Sequence, residues 1–326
     1  MQIIKNRKIL YVFTTILIGV SIVALALWGL KPGIDFAGGT LIEVSYQSQI
    51  SVASNTASSS TASTMASSTA STSPAMSVVP TQAQLISSLT SIDPVVSVRP
   101  SGTNGYFIRM KAVSQDEKAL VNTAISMNGT ASPTVKSFDS IGPVLGAESL
   151  RKAIVSIILV ILGIVFYITF AFRKVSEPVK SWKYGLIAII SLVHDIIIPL
   201  GAFSILGHYA GYEVDTLFVT ALLVILGFSI HNTIVVFDRV RENLSHASSS
   251  KLFSDVVGES VNQKLTRSIN TSLTVIIALV ALYIFGGEST QHFTLALIVG
   301  ILAGTYSSVC FGSSLLVTFE KITKKK

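Results

Sequence analysis

The sequence predicts a membrane protein built as a bundle of six transmembrane helices, with one α+β domain of ferredoxin-like type in its first long loop. Three observations predict it. Half of the 326 residues are hydrophobic and only 13% are charged, against about 25% charged in a typical soluble domain. Six apolar runs recur, each near the ~20 residues that cross hydrocarbon. The segment between the first two runs instead has the periodicity of short strands and amphipathic helices.

The spans are read at 9–30, 153–172, 184–206, 216–237, 268–287 and 293–319. The first follows basic residues, as a signal peptide does. It is a full span in length and lacks an A-x-A-like cleavage site, so it is expected to be a retained helix. Lys and Arg set the orientation. They gather before the first span (Lys5, Arg7, Lys8), in the loop 173–183 (Arg173, Lys174, Lys180, Lys183), in the loop 238–267 (Arg239, Arg241, Lys251, Lys264, Arg267) and at the C-terminus (Lys321, Lys324 to Lys326). Both termini are therefore expected in the cytoplasm and residues 31–152 outside it. Arg151 and Lys152 run against this pattern. The net charge of +7 reflects loop topology and is not read as a nucleic-acid footprint. The lone cysteine, Cys310, excludes an internal disulfide.

Within 31–152 the alternation in TLIEVSY (40–46) predicts a strand, and TQAQLISSL (81–89) a helix with a Thr cap. VVSVRP (95–100) and YFIRMKA (106–112) read as strands around a turn. SQDEKALVNTAISM (114–127) opens with a Ser114/Glu117 capping box, and PTVKSF (133–138) closes as a strand. The order β-α-β-β-α-β is that of a ferredoxin-like domain. Residues 51–73 are almost entirely Ser, Thr and Ala and cannot bury enough apolar surface to order themselves. A disordered insertion is expected at about 48–80. The expected layout is residues 1–30 as N-terminus and first span, 31–152 as the outer domain, 153–319 as spans two to six, and 320–326 as a basic tail.

Polar groups inside the spans are the candidate functional residues, because a charge at mid-bilayer costs ~3 kcal/mol on insertion scales and faces protein or water. Asp195, beside His194, is the one carboxylate deep in a span, ~17 Å from its cytoplasmic end at 1.5 Å per residue. It is either a proton or gating site or a structural hydrogen-bond partner. Adjacent residues are not expected to share a helix face. Ser229, Asn232 and Thr233 fall on one face of span four, with Asn232 ~8 Å from the cytoplasmic surface, either as a polar seam lining an ion path or as interhelical hydrogen bonds. His231 titrates near neutral pH when unperturbed. A lone membrane His is also commonly a packing residue. Asp238, Arg239, Arg241 and Glu242 read as a salt-bridged helix end. Arg267 either snorkels to phosphates or reaches toward the span-four seam. PGIDFAGGT (32–40), with Asp35, Gly38 and Gly39, lacks the spacing of a phosphate loop and reads as a tight turn.

Enzyme chemistry finds no support. No HExxH, GxSxG or CxxC occurs, the five histidines lack metal-ligand spacing, and an intramembrane aspartyl protease needs a second carboxylate. No cofactor and no metal are expected.

GIDFAGGTLIEV (33–44), IGPVLGAES (141–149), VHDIIIPLG (193–201), GFSIHNTIVVFDRVREN (227–243), LTRSINTS (265–272) and LYIFGG (282–287) resemble the SecF family, in the resistance-nodulation-division superfamily. The resemblance implies half of a pseudosymmetric assembly completed by SecD. The complex would sit in the bacterial cytoplasmic membrane with the SecYEG channel, YajC, lipid and a translocating unfolded preprotein, and would assist late export with the proton motive force. The family's span-four motif usually carries Asp where Asn232 stands, facing the Arg that matches Arg267. Asn cannot ionise. Three expectations follow, in this order: SecD's own acid carries the proton, His231 has taken over, or coupling is incomplete. The alternatives to an export motor are a non-conducting structural subunit and a small-molecule exporter of the same superfamily.

Overall fold

A computed structural model describes residue 4 and residues 6–46, 79–171, 181–247 and 251–324. The expected disordered insertion therefore lies outside the described residues, apart from Val79 and Pro80. The chain divides into two compact units, Ala37–Ala147 and Met1–Phe36 together with Glu148–Lys326.

In chain order, α1 (Arg7–Trp28) leads to a one-turn helix α2 (Ile34–Ala37) and strand β1 (Gly39–Tyr46). Then come α3 (Gln82–Leu89), β2 (Ser97–Ser101), β3 (Gly105–Met110), α4 (Gln115–Ile125) and β4 (Pro133–Ile141). The four strands form one sheet of order β2-β3-β1-β4, every neighbouring pair antiparallel. Alternation puts Ile42, Val44 and Tyr46 of β1 inward. They join Leu85 and Leu89 of α3, Val98 and Ile108 of the sheet, and Val121 and Ile125 of α4 in one apolar core. Each fully buried aliphatic side chain there contributes about 1.5–3 kcal/mol. Both helices open with reciprocal capping boxes, Thr81 with Gln84 and Ser114 with Glu117, which satisfy amide groups that the first turn leaves free. The Tyr46 hydroxyl donates to the Ile125 carbonyl at 2.9 Å, and burial pushes its pKa up. Gly38 has φ +75°, and a Cβ there would meet the Pro143 Cα at 2.9 Å. The tight turn expected of the GG segment is therefore enforced both by backbone conformation and by space.

The membrane unit adds α5 (Pro143–Ala171), α6 (Ser181–Tyr209), α7 (Thr216–His246), α8 (Phe253–Phe285), α9 (Glu288–Tyr306), a π turn (Ser307–Phe311) and α10 (Gly312–Lys324). Among the described residues six helical stretches are long and apolar enough to cross a membrane, with α9, the π turn and α10 forming the sixth. Helix α6 and the α9–α10 span bury 56% and 61% of their apolar windows, against 6% for α5 and 11% for α8. The former therefore form the centre and the latter present most of their surface outward. Small residues let helices touch. A Cβ on Gly201 would lie 2.3 Å from the Ser21 Cβ, and Ser204 Oγ reaches the Ala24 and Gly29 carbonyls of the α1 end at 2.8 and 2.6 Å. This is the close packing and hydroxyl bonding by which helices associate where lipid gives no hydrophobic drive.

Several boundaries differ from the sequence expectation. Span two starts at Pro143, not 153, because proline is pre-organised for the first helical position. Arg151 and Lys152 thus lie inside a helix, with Lys152 paired to Glu148 at 2.8 Å. The supposed loop 238–267 is mostly helix: α7 runs to His246 and α8 starts at Phe253. Val240 on one and Val256, Val257 and Val261 on the other are buried, so the extensions pack and do not end at Phe237. The expected tail 320–326 is helical up to Lys324.

Candidate functional site

The side chains of the membrane interior converge on Asp195, which is fully buried in α6. Its Oδ2 accepts hydrogen bonds from Ser229 Oγ of α7 and, at 2.8 Å, from Ser307 Oγ of the π turn. Its Oδ1 faces His194 Nδ1 at 2.8 Å. This corrects the expectation that His194 and Asp195 diverge. Their Cα–Cβ vectors do diverge around the helix, but each side chain swings back far enough for the ring to reach the carboxylate. All three neighbours can donate to the carboxylate, which in its ionised form only accepts. The network continues through Thr233 Oγ1, which lies 3.0 Å from Ser308 Oγ, while Ser308 Oγ also reaches the Ser229 carbonyl at 3.1 Å.

The π turn exists for local reasons. Gly312 N–H bonds to the Ser307 carbonyl, one residue wider than an α turn. The hydroxyls of Ser307 and Ser308 both bond back to the Gly304 carbonyl, at 3.2 and 2.7 Å. Such wide turns concentrate at functional sites. Here the turn places a hydroxyl on Asp195. Gly304 also lets Ser229 approach, since a Cβ there would lie 3.1 Å from the Ser229 Cβ.

Two buried polar atoms at the site have no partner, His194 Nε2 and Asn232 Nδ2. In the neutral tautomer whose Nδ1 donates to Asp195, Nε2 is an acceptor without a partner. Leaving such a group unpaired costs about 1–3 kcal/mol. The ring is held between Phe311, stacked at 5.4 Å, and Tyr306 at 6.2 Å.

The other candidates are distributed differently. Asn232, Ser229 and Thr233 are buried, whereas His231 faces out, about 100° around the helix from Asn232. Arg267 is exposed and sits well inside α8, not at its start, so it makes no approach to the seam within this chain. Asp238 pairs with Arg241 at 2.8 Å and Arg239 with Glu242 at 2.6 Å on the protruding part of α7, where Arg239 Nε also donates to Gln263 Oε1 of α8 at 2.5 Å. Asp35 acquires a definite job: its Oδ2 accepts from the Thr216 N–H at 2.9 Å, while Asp215 accepts from Phe218 N–H at 2.7 Å. Two carboxylates thus cap α7, where the helix dipole favours negative charge. Burial pushes the Asp215 carboxyl up, and Asp35 nearby adds to the rise. Lys31 and Gly33 tie the same loop to Val214 by backbone bonds of 2.8 Å. Ser307 and Ser308 were not singled out in the sequence. The signal available was the run of small and hydroxyl residues GTYSSVCFGSS inside a span. Among the described residues no cluster of His, Cys, Asp or Glu fits a metal ion.

Residues 121–322 match the family described as protein export membrane protein SecD/SecF, C-terminal, and residues 24–50 match the SecD/SecF GG motif, which contains Asp35, Gly38 and Gly39. The chain is 39% identical to the protein translocase subunit SecF of Thermobaculum terrenum, over 98% of this chain and 94% of that one. To the SecF of Synechocystis sp. it is 33% identical, over 98% and 95%.

This chain belongs to the SecF family of protein translocase subunits.

Its fold is similar to that of SecDF, a translocon-associated membrane protein from Thermus thermophilus, with a TM-score of 0.75 at 24% identity over 98% of this chain. SecDF in a super-membrane-facing form gives 0.62 at 26% identity over 99%. The chain spans 39% of the length of each SecDF chain. It is a multi-pass membrane protein whose polar interior is centred on Asp195.

Proposed function

We propose that this chain is the SecF half of a SecDF-type complex that uses the proton motive force to assist the late stage of preprotein export through the SecYEG channel, with YajC as an associated subunit. It sits in the bacterial cytoplasmic membrane with both termini cytoplasmic and residues 31–152 outside. The sheet order β2-β3-β1-β4 with α3 and α4 in the crossovers supports a ferredoxin-like outer domain, which would hold the emerging unfolded chain. A pseudosymmetric SecD partner of the resistance-nodulation-division type is supported by the outward face of α7 and α8. There Gly227, His231, Thr266, Arg267, Asn270 and Thr274 are exposed, and groups such as Arg and Asn are costly against lipid. The reaction assigned is transport, with no catalytic chemistry and no cofactor.

The observation that carries proton coupling is the buried His194–Asp195 pair. Asn232 cannot ionise, and His231 lies off the network. A proton arriving at His194 Nε2 would leave an imidazolium beside the carboxylate and weaken the hold of Asp195 on Ser229 and Ser307, which join α6 to α7 and the π turn. The test is co-reconstitution with SecD and SecYEG in energised vesicles. Asp195→Asn should lose at least about tenfold of the gradient-dependent stimulation, the typical scale of one lost 1.4 kcal/mol interaction, with assembly intact. His231→Phe should keep it. Retained stimulation in Asp195→Asn with loss in His231→Phe would transfer the role to His231. A second reading, a non-conducting structural subunit, is favoured by Asn232 itself, and predicts that none of these variants alters gradient dependence while Asn232→Asp disturbs assembly.

A further inference from the structure

We propose that the cavity between the start of α1, the start of α8 and the end of α10 binds the phosphate of an anionic lipid headgroup. The cavity holds about 490 Å³, within the 300–1,000 Å³ usual for small-ligand sites. Arg7 and Lys8 enter it from the N-terminal end of the chain and Lys321 from the C-terminal end. Orientation by positive charge requires only that such residues lie on one side of the membrane; it does not require residues from opposite ends of the sequence to face one cavity.

The three cations are available. Among the described residues, the ion pairs on this side engage other groups, Lys251 with Glu259, Arg239 with Glu242 and Arg241 with Asp238. None of the ion pairs among the described residues uses Arg7, Lys8 or Lys321. Asn6 and Ser254 add polar groups to the lining. Ser254 lies in the first turn of α8, whose capping residue Leu252 supplies no side-chain hydrogen bond; the Asp255 and Val256 N–H groups donate to the Leu252 carbonyl, which leaves the amides of Phe253 and Ser254 as the ones that attract phosphate. Ile4 and Ile9 form the apolar wall. Cations and isoleucines in one lining match a phosphate joined to acyl chains better than they match a free ion.

The position agrees. Arg7 begins one candidate span and Lys321 lies one residue before the end of another, so the cavity is at the depth of lipid phosphates. Asp255 is the single carboxylate among the described residues of the lining and opposes an anion. The neighbouring cavity, lined by Lys251, Asp255 and Glu259, has its lysine already paired and serves as the internal control.

The experiment uses the full chain in bilayer nanodiscs of phosphatidylcholine with a minor fraction of phosphatidylglycerol. Lipid retained on detergent extraction is counted by mass spectrometry, and thermal stability is measured alongside. The wild type should retain phosphatidylglycerol preferentially. Each of Arg7→Gln, Lys8→Gln and Lys321→Gln should lower that preference by up to about fivefold, the effect of one cation near an anionic surface. Asp255→Asn should raise it and Lys251→Gln should leave it unchanged. The single variant at exposed Lys8 guards against misfolding, since its thermal stability in pure phosphatidylcholine should equal wild type. Undiminished preference in the triple variant overturns the site. Equal stabilisation by inorganic phosphate in pure phosphatidylcholine discs overturns the lipid assignment and leaves a free-phosphate site.

Discussion

The α/β unit closes around Ile42, Leu85, Leu89, Ile108, Val121 and Ile125 and keeps most of its charge and capping chemistry at helix starts and strand edges. The membrane unit is arranged the other way: Asp195, His194, Ser229, Asn232, Thr233, Ser307 and Ser308 are buried, while Ile154, Leu159, Leu162 and Phe166 of α5 and Ile277 and Phe285 of α8 face outward. Water sorts the first unit, since removing apolar area from it is the main favourable term. Lipid gives apolar side chains no drive inward but makes polar groups costly at its surface, so polar groups collect where they can bond to one another. The same hydroxyls that would weaken the core of one unit therefore hold the other together.

Reversing the rule in the α/β unit should give the largest effect. Leu85→Asn removes a fully buried side chain and leaves an amide unpaired. The expected loss is about 4 kcal/mol or more, enough to open the unit, and hydrogen exchange on the full chain should show protection lost across β1, β3 and α4 while the spans stay protected. Removing a polar contact from the membrane unit should cost far less. Ser204→Ala deletes the link from α6 to the α1 end, and a loss near 0.6 kcal/mol is expected by analogy with measured interhelical bonds, read from denaturation in detergent. A loss of several kcal/mol there would break the comparison.

The smallest effect is a pH response at the surface. The capping bonds from Ser114, together with Lys111, hold the Glu117 carboxyl below its ordinary value. A depressed carboxylate contributes stability above its unfolded pKa and loses it as pH falls through the folded one. Wild type should therefore lose local protection of α4 on acidification more steeply than Glu117→Gln, in which this response should vanish.

The sequence made the α/β domain legible in order, because strand alternation and capping spacings are local signals: β1, the Thr81 cap and the Ser114/Glu117 capping box fall where the pattern puts them. Helix ends were less legible. Pro143 and the stretch beyond Phe237 look like loop by hydropathy; the first is helical because proline suits the first helical position, and the second because neighbouring elements bury Val240 and Val257. At the site, Asp195 and Ser229 stood out as polar groups in apolar runs, but their meeting was invisible. It depends on the π turn that aims Ser307, and on Gly304, neither of which carries a chemical group of its own. The His194 geometry failed as an expectation because helical spacing fixes Cβ directions and not the reach of a ring.

The π turn at Ser307–Phe311 also makes the last span a ruler with one surplus mark. Everything before it is in one angular register and everything after it is displaced by the extra residue, about 100° of rotation. Excising a single residue there would restore an ordinary α-helix and swing Leu316 and Val317, both fully buried, away from the centre. The tolerance of this span to insertion and deletion is therefore strongly one-sided: its length is set by phase and not by the thickness it crosses.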